Sequence, residues 1–194
     1  KARGIKGASN ASKLDKQIWD EFYENWDLAL LNSEELLARK RQTTIERLNR
    51  IDISDLPKEG KEKERVVKVR VNQSIFRTMI LATYNYKCCI TGIENSDLLI
   101  ASHIVPWSND EKNRLNPMNG LCLNALHDKA FDKGLMTVDA LNYTIKISAR
   151  LKTKIVSESI ANNFLKVEGK SISLPDKFLP SREFLKMHND FAKL

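Results

Sequence analysis

Two of the chain's three histidines, His103 and His127, fall in one stretch at a spacing that suits hydrolysis of a phosphodiester. His103 closes an apolar run, Ala101-Ser102-His103-Ile104-Val105-Pro106-Trp107, and His127 opens a helical one, His127-Asp128-Lys129-Ala130-Phe131-Asp132-Lys133-Gly134, with Asn119-Gly120 between them. An imidazole titrating near its ordinary pKa of about 6.5 can take the proton of an attacking water at neutral pH, which makes His103 the candidate general base. A neutral imidazole on a helix suits a divalent ion that shields a phosphate oxygen and the leaving oxygen, which makes His127 the candidate metal ligand. Asp132 is the acidic residue that could complete the shell; Asp128 and Asp132 sit about 100° and 140° around an ideal helix from His127. This chemistry requires the rings of His103 and His127 to face one phosphorus atom.

The neighbours have both plain and chemical readings. A histidine at the end of an apolar strand is ordinarily a packing residue, and it is the whole pattern that singles out His103. Asn119 could make a local Asn-Gly turn. Arg114, Lys112, Lys129 and Lys133 flank the histidines and could neutralise phosphates, which fixes position on a duplex without reading sequence; the plain reading is solvated surface charge. Trp107 either packs on the core or stacks on a base, and His188 reads as structural or exposed.

The runs Cys89-Ile90-Thr91-Gly92, Ser102-His103-Ile104-Val105-Pro106-Trp107 and Asn119-Gly120-Leu121-Cys122-Leu123-Asn124-Ala125-Leu126-His127-Asp128 resemble the HNH nuclease family, and most of all its restriction-endonuclease subgroup. The likeness is strong from about Val66 to Ser148. It implies two strands and a helix clamped around one divalent metal ion (Mg, Mn, Ni or Zn), with His103, Asn119 and His127 at the three signature positions. It further implies that Asn119 holds the loop and fixes the angle of His103, that DNA is the partner, that cleavage leaves a 5′ phosphate, and that the role is restriction or defence. The chain departs from the common pattern at Ser102, where Asp or His usually supplies a second metal ligand. Asp132, or water and the scissile phosphate, would then complete the shell. No C-x-x-C pair is present to brace the domain, so no structural zinc is expected. A DNA-binding module that has kept the fold and lost turnover is the alternative, and a secreted nuclease toxin a weaker third reading.

The elements that must position these residues read as α+β: a ββα-metal core with an added N-terminal helical region and peripheral C-terminal strands and helix. Residues 1–60 are expected to be the helical region and a linker, and 61–194 the nuclease domain, its core at about 86–134. Ser12 to about Leu31 shows an amphipathic pattern, a second helix opens at Ser33, and Asp52 to Arg65 reads as linker. Val66, Val67, Val69 and Val71 suggest a short strand before a helix from Gln73 to Tyr84. Strands near Lys87–Thr91 and Leu98–Ser102, a polar loop and a helix from Leu123 to Phe131 ended by Gly134 make up the core. A hairpin over Leu135–Val138 and Tyr143–Ile147 and a helix capped by Ser181 follow.

Composition narrows the partners. At 194 residues and 42% hydrophobic content the chain can bury a full core. Its net charge of +7 favours a polyanion. Three cysteines, two of them adjacent, do not form a disulfide framework. No apolar run reaches the roughly 20 residues that span a bilayer, and the start lacks a signal-peptide core, so a cytoplasmic protein is expected. The chain starts at Lys1 rather than Met and is read as a piece of a longer protein whose other part selects the DNA target. Double-strand cleavage by a single site would call for a homodimer, although no interface is legible.

Overall fold

A computed structural model describes residues 12–14, 16–17, 26–51, 60–108, 110, 112–153 and 155–194. The chain divides into two compact units, Lys1–Gln73 and Ser74–Leu194. In the first, α1 runs over Trp26–Lys40 and α2 over Ile45–Leu48. Ser33 does not start a helix. It lies inside α1, and its hydroxyl donates to the Ala29 carbonyl one turn back at 2.8 Å, the internal role a serine takes when a helix runs through it. Thr44 caps α2 instead, and Asn49 ties the two helices through the Glu34 carboxylate at 2.9 Å. Most of the amphipathic pattern expected from Ser12 to Leu31, and the linker residues 52–59, lie outside the described residues.

Helix α3, Lys61–Thr83, absorbs the valine run expected to be a strand, and the division between the two compact units falls inside it. Val67, Val71, Phe76 and Ile80 are buried along it at intervals of four or five residues, with Asn72 and Leu81 buried beside them. That spacing is helical, and the burial it secures outweighs the modest β preference of branched side chains.

The ββα core follows. Strand β1 is Leu99–His103 and β2 is Gly120–Asn124, antiparallel, with Ser102 opposite Leu121 and His103 opposite Gly120. Helix α4, Ala125–Asp132, leaves β2 directly. Lys87–Thr91, expected as the first strand, is a turn: Gly92 N–H donates to the Cys88 carbonyl at 2.8 Å, Cys88 N–H to the Ile93 carbonyl at 2.9 Å, and Gly92 has φ +73°. The strand that actually pairs with β1 was hidden in the residues before the helix, because all five of its residues are buried and no alternation marks it. Gly120 is extended at φ −135°, so Asn119-Gly120 is no turn glycine pair of the left-handed kind. A Cβ there would lie 2.3 Å from Ile80 Cδ1 and 2.9 Å from Phe76 Cζ, so the missing side chain lets α3 press on the strand pair. Arg77 fastens the same contact from α3 by donating to the carbonyls of Leu99 at 2.6 Å and Ser96 at 2.8 Å.

Gly134, at φ +59°, ends α4: its N–H donates to the Phe131 carbonyl and that of Leu135 to Ala130, both at 2.8 Å. Strands β3, Met136–Val138, and β4, Ile145–Ile147, form the hairpin; α5 covers Glu158–Asn163, and α6, Arg182–Ala192, is capped by Ser181. Among the described residues, no helix is long and apolar enough to cross a membrane.

Candidate active site

His103 is the last residue of β1 and is partly buried. Its ring stacks on Phe76 with centroids 3.7 Å apart and planes 10° apart, and Trp107 meets it edge-on at 5.4 Å. Nε2 lies 2.9 Å from the Arg114 carbonyl, which can only accept, so Nε2 carries the proton and Nδ1 the lone pair. Burial draws the ring's pKa below 6.5, against the Arg114 carbonyl and the charge of Asp132, which both favour the imidazolium. The ring is thus neutral near pH 7 and close enough to Asp132 to sense its charge.

The loop after His103 is built to hold that ring. Asn119 is buried, and its amide closes on Val105 from both sides, accepting from the N–H at 2.9 Å and donating to the carbonyl at 3.2 Å, with a further bond to the Asn113 carbonyl at 3.2 Å. Arg114 donates from Nε to the Trp107 carbonyl at 3.0 Å and lies over the Trp107 ring, 5.1 Å from its centroid. Arg114 therefore braces the loop as well as carrying charge. Lys112, Lys129 and Lys133 are exposed, Lys129 on α4 and Lys133 at its C-terminal cap.

His127 is placed otherwise than the sequence suggests. It is fully buried. Nε2 donates to the Asn163 carbonyl at 2.8 Å, and Nδ1 receives Asn124 Nδ2 at 3.0 Å, while its ring meets Phe164 edge-on at 5.4 Å. The Cys88 thiol, which burial would push up, is brought down to about 7 by hydrogen bonds with His127 and Thr91. The two imidazoles thus rest against different neighbours, and both nitrogens of His127 are engaged in hydrogen bonds. The reason is local: Asn124 caps α4 by accepting from the His127 N–H at 2.9 Å, which sets His127 in the first turn with its ring directed inward.

What faces outward from α4 is the next residue and its neighbour one turn on. Asp128 and Asp132 are four apart, about 40° around the helix, hence on one face; Asp128 is half-buried and Asp132 exposed. Burial raises the Asp128 carboxyl; the Ser102 hydroxyl and Lys129 pull it down and the charge of Asp132 pushes it up. Ser102 itself is buried, and its Oγ has no hydrogen bond of ordinary length although it lies beside Asp128. Two carboxylates that repel each other next to an orphaned hydroxyl oxygen fit a cation. Among the described residues, no three His, Cys, Asp or Glu side chains gather closely enough to hold a metal by themselves.

Residues 88–139 match the HNH endonuclease family model. Across this segment the chain is similar to HNH endonucleases. The match spans the Cys88 turn, the strand pair and α4 of the HNH core, and ends just after β3. The chain matches no curated protein.

The sequence carried signals for part of this site only. Asp128 and Asp132 were visible as an i, i+4 carboxylate pair, but the helix start that decides which face points outward depends on the Asn124 cap. Phe76, the platform under His103, has no local signature, since it arrives from α3 through the tertiary contact at Gly120.

Proposed function

We propose that this HNH domain is a metal-dependent DNA endonuclease in which His103 is the general base and Asp128 and Asp132, rather than His127, hold the ion. One observation carries the reading: His103 is neutral, its Nε2–H is anchored on the Arg114 carbonyl so that Nδ1 keeps the lone pair, and the ring is close enough to Asp132 to feel its charge. Nδ1 takes the proton of the attacking water, and Phe76 and Trp107 keep the ring from turning away. Asn119 acts on that ring through the loop it closes and touches no reacting atom. A divalent ion, when bound, would supply charge to the crowded phosphate and its leaving oxygen. Lys112, Lys129 and Lys133 would contact backbone phosphates, with Arg114 contributing from the loop. A restriction role belongs to the same proposal and rests on the sequence likeness alone; action as a homodimer would follow from double-strand cleavage by a single site.

Incubation of supercoiled plasmid with Mg²⁺ or Mn²⁺ tests it. The wild-type chain nicks or linearises the plasmid, and His103→Ala lowers the rate by about 10²- to 10⁴-fold, the usual worth of a general base. A gel shift without nicking under any divalent ion would replace the enzyme with a DNA-binding module.

A further inference from the structure

We propose that the ion site is built from oxygen alone: the carboxylates of Asp128 and Asp132 and the hydroxyl of Ser102, with water completing the shell, so that its occupant is a hard cation, Mg²⁺ or Mn²⁺. This rests on the reading of the two aspartates given above and goes further in naming Ser102 as a ligand, in excluding imidazole, and in fixing the class of ion.

Three observations lead to it. The chain has three imidazoles, and each is spoken for: His103 is anchored as a base, His127 has both nitrogens hydrogen-bonded in the interior, and His188 lies between Phe131 and Thr137 with both nitrogens engaged. The three thiols are buried, so sulfur offers no outward donor either. What remains at the outward face of α4 is oxygen. Ser102 then supplies the independent mark of a ligand: its side chain is 2% exposed, its Oγ is one of two buried side-chain polar atoms without a partner among the described residues, and it lies beside Asp128. A buried hydroxyl without a partner is destabilising, a cost that coordination removes. A hydroxyl is a poor ligand for zinc or nickel but an ordinary one for Mg²⁺, as in nucleotide-binding loops where Ser or Thr completes an octahedron. Carboxylate, hydroxyl and water are the donor set that Mg²⁺ and Mn²⁺ favour, whereas imidazole draws Zn²⁺ and Ni²⁺.

Mn²⁺ binding to the full chain without DNA tests this by electron paramagnetic resonance. The wild type binds Mn²⁺, Mg²⁺ displaces it, and spin-echo modulation of the bound ion shows no imidazole nitrogen. Asp128→Asn and Asp132→Asn, near-isosteric and checked for folding by circular dichroism, each weaken Mn²⁺ by about tenfold or more. Ser102→Ala weakens it several-fold, and Ser102→His introduces the missing nitrogen signal and moves preference toward Zn²⁺. Nitrogen modulation in the wild type, or Mn²⁺ binding indifferent to Asp128→Asn and Asp132→Asn, would overturn the oxygen-only site. The plasmid assay separates this from the nuclease reading. Mn²⁺ held as described without nicking upholds the site and removes the enzyme, whereas His103-dependent nicking with an imidazole-ligated ion removes the site and leaves the enzyme.

Discussion

At the scale of single residues, the decisive contrast is between two adjacent side chains, His127 and Asp128. An imidazole is the better transition-metal ligand, yet its place in the first turn of α4 sends it inward, where it joins the Cys88 turn, the end of β2 and Asn163. Its contribution is then to stability. His127→Gln removes a fully buried ring and leaves the Asn163 carbonyl and the Asn124 amide short of partners, a loss of about 2–4 kcal/mol by the usual cost of truncating a core side chain and orphaning polar groups. Thermal and urea unfolding should register that loss. Mn²⁺ affinity of the folded fraction should stay within about twofold of wild type, because no ligand has been removed. A variant that kept its stability and lost the ion would return His127 to the ligand role. The same residue shows where sequence reasoning stops: the spacing His103, Asn119, His127 is legible, but a helical position one residue away differs by about 100° in direction. Which of His127 and Asp128 faces the solvent is decided by Asn124, whose side chain caps α4.

At the scale of elements, α6 holds the end of the site helix. His188 stacks on Phe131 with centroids 3.6 Å apart, donates from Nε2 to the Phe131 carbonyl at 3.1 Å, and receives the Thr137 hydroxyl of β3 on Nδ1 at 2.7 Å. Asn189, with its amide turned so that Nδ2 donates to Thr137 Oγ1, completes the chain of bonds. Burial lowers the His188 pKa to about 4 from its ordinary 6.5, although the Phe131 carbonyl works the other way. The unfolded chain therefore takes up a proton near pH 6.5 that the folded chain refuses until about pH 4. Stability is complete above 6.5 and is lost as pH falls through that window. The loss from this one group is about 2 kcal/mol at pH 5 and approaches about 3 kcal/mol below 4. Urea denaturation at pH 7.5 and pH 5 measures it, and His188→Gln should be less stable at pH 7.5 but flatter between the two; an equal slope would assign the acid sensitivity elsewhere. Of these elements, the hairpin and α6 were legible because apolar alternation and the Ser181 cap are local. Strand β2 was not, being buried on every side, and the valine run of α3 misled because its buried members, Val67 and Val71, are four apart, a helical interval that β-branched composition does not reveal.

At the scale of the whole chain, charge remains once the core and the site are accounted for. The net +7 includes exposed Lys112, Lys129 and Lys133 near the HNH core, and fields of that kind act on a polyanion by releasing its counterions. Affinity for duplex DNA should accordingly fall linearly on a log–log plot against salt, with a slope near −0.9 for each phosphate neutralised. Asp128 and Asp132 lie on the same helix as Lys129, and Lys133 caps its end, so without a divalent ion the two carboxylates oppose the phosphate that the lysines attract. Binding of catalytically silenced His103→Ala protein to a short duplex should thus be tighter with Mg²⁺ than with enough monovalent salt to match its ionic strength. Lys129→Ala and Lys133→Ala should each reduce the salt slope by about 1 while lowering affinity evenly across unrelated sequences. Fluorescence anisotropy over a salt series with two duplexes of different sequence makes both comparisons. If one duplex lost far more affinity than the other, the lysines would be reading sequence, and the assignment of this face to backbone contact would have to be given up.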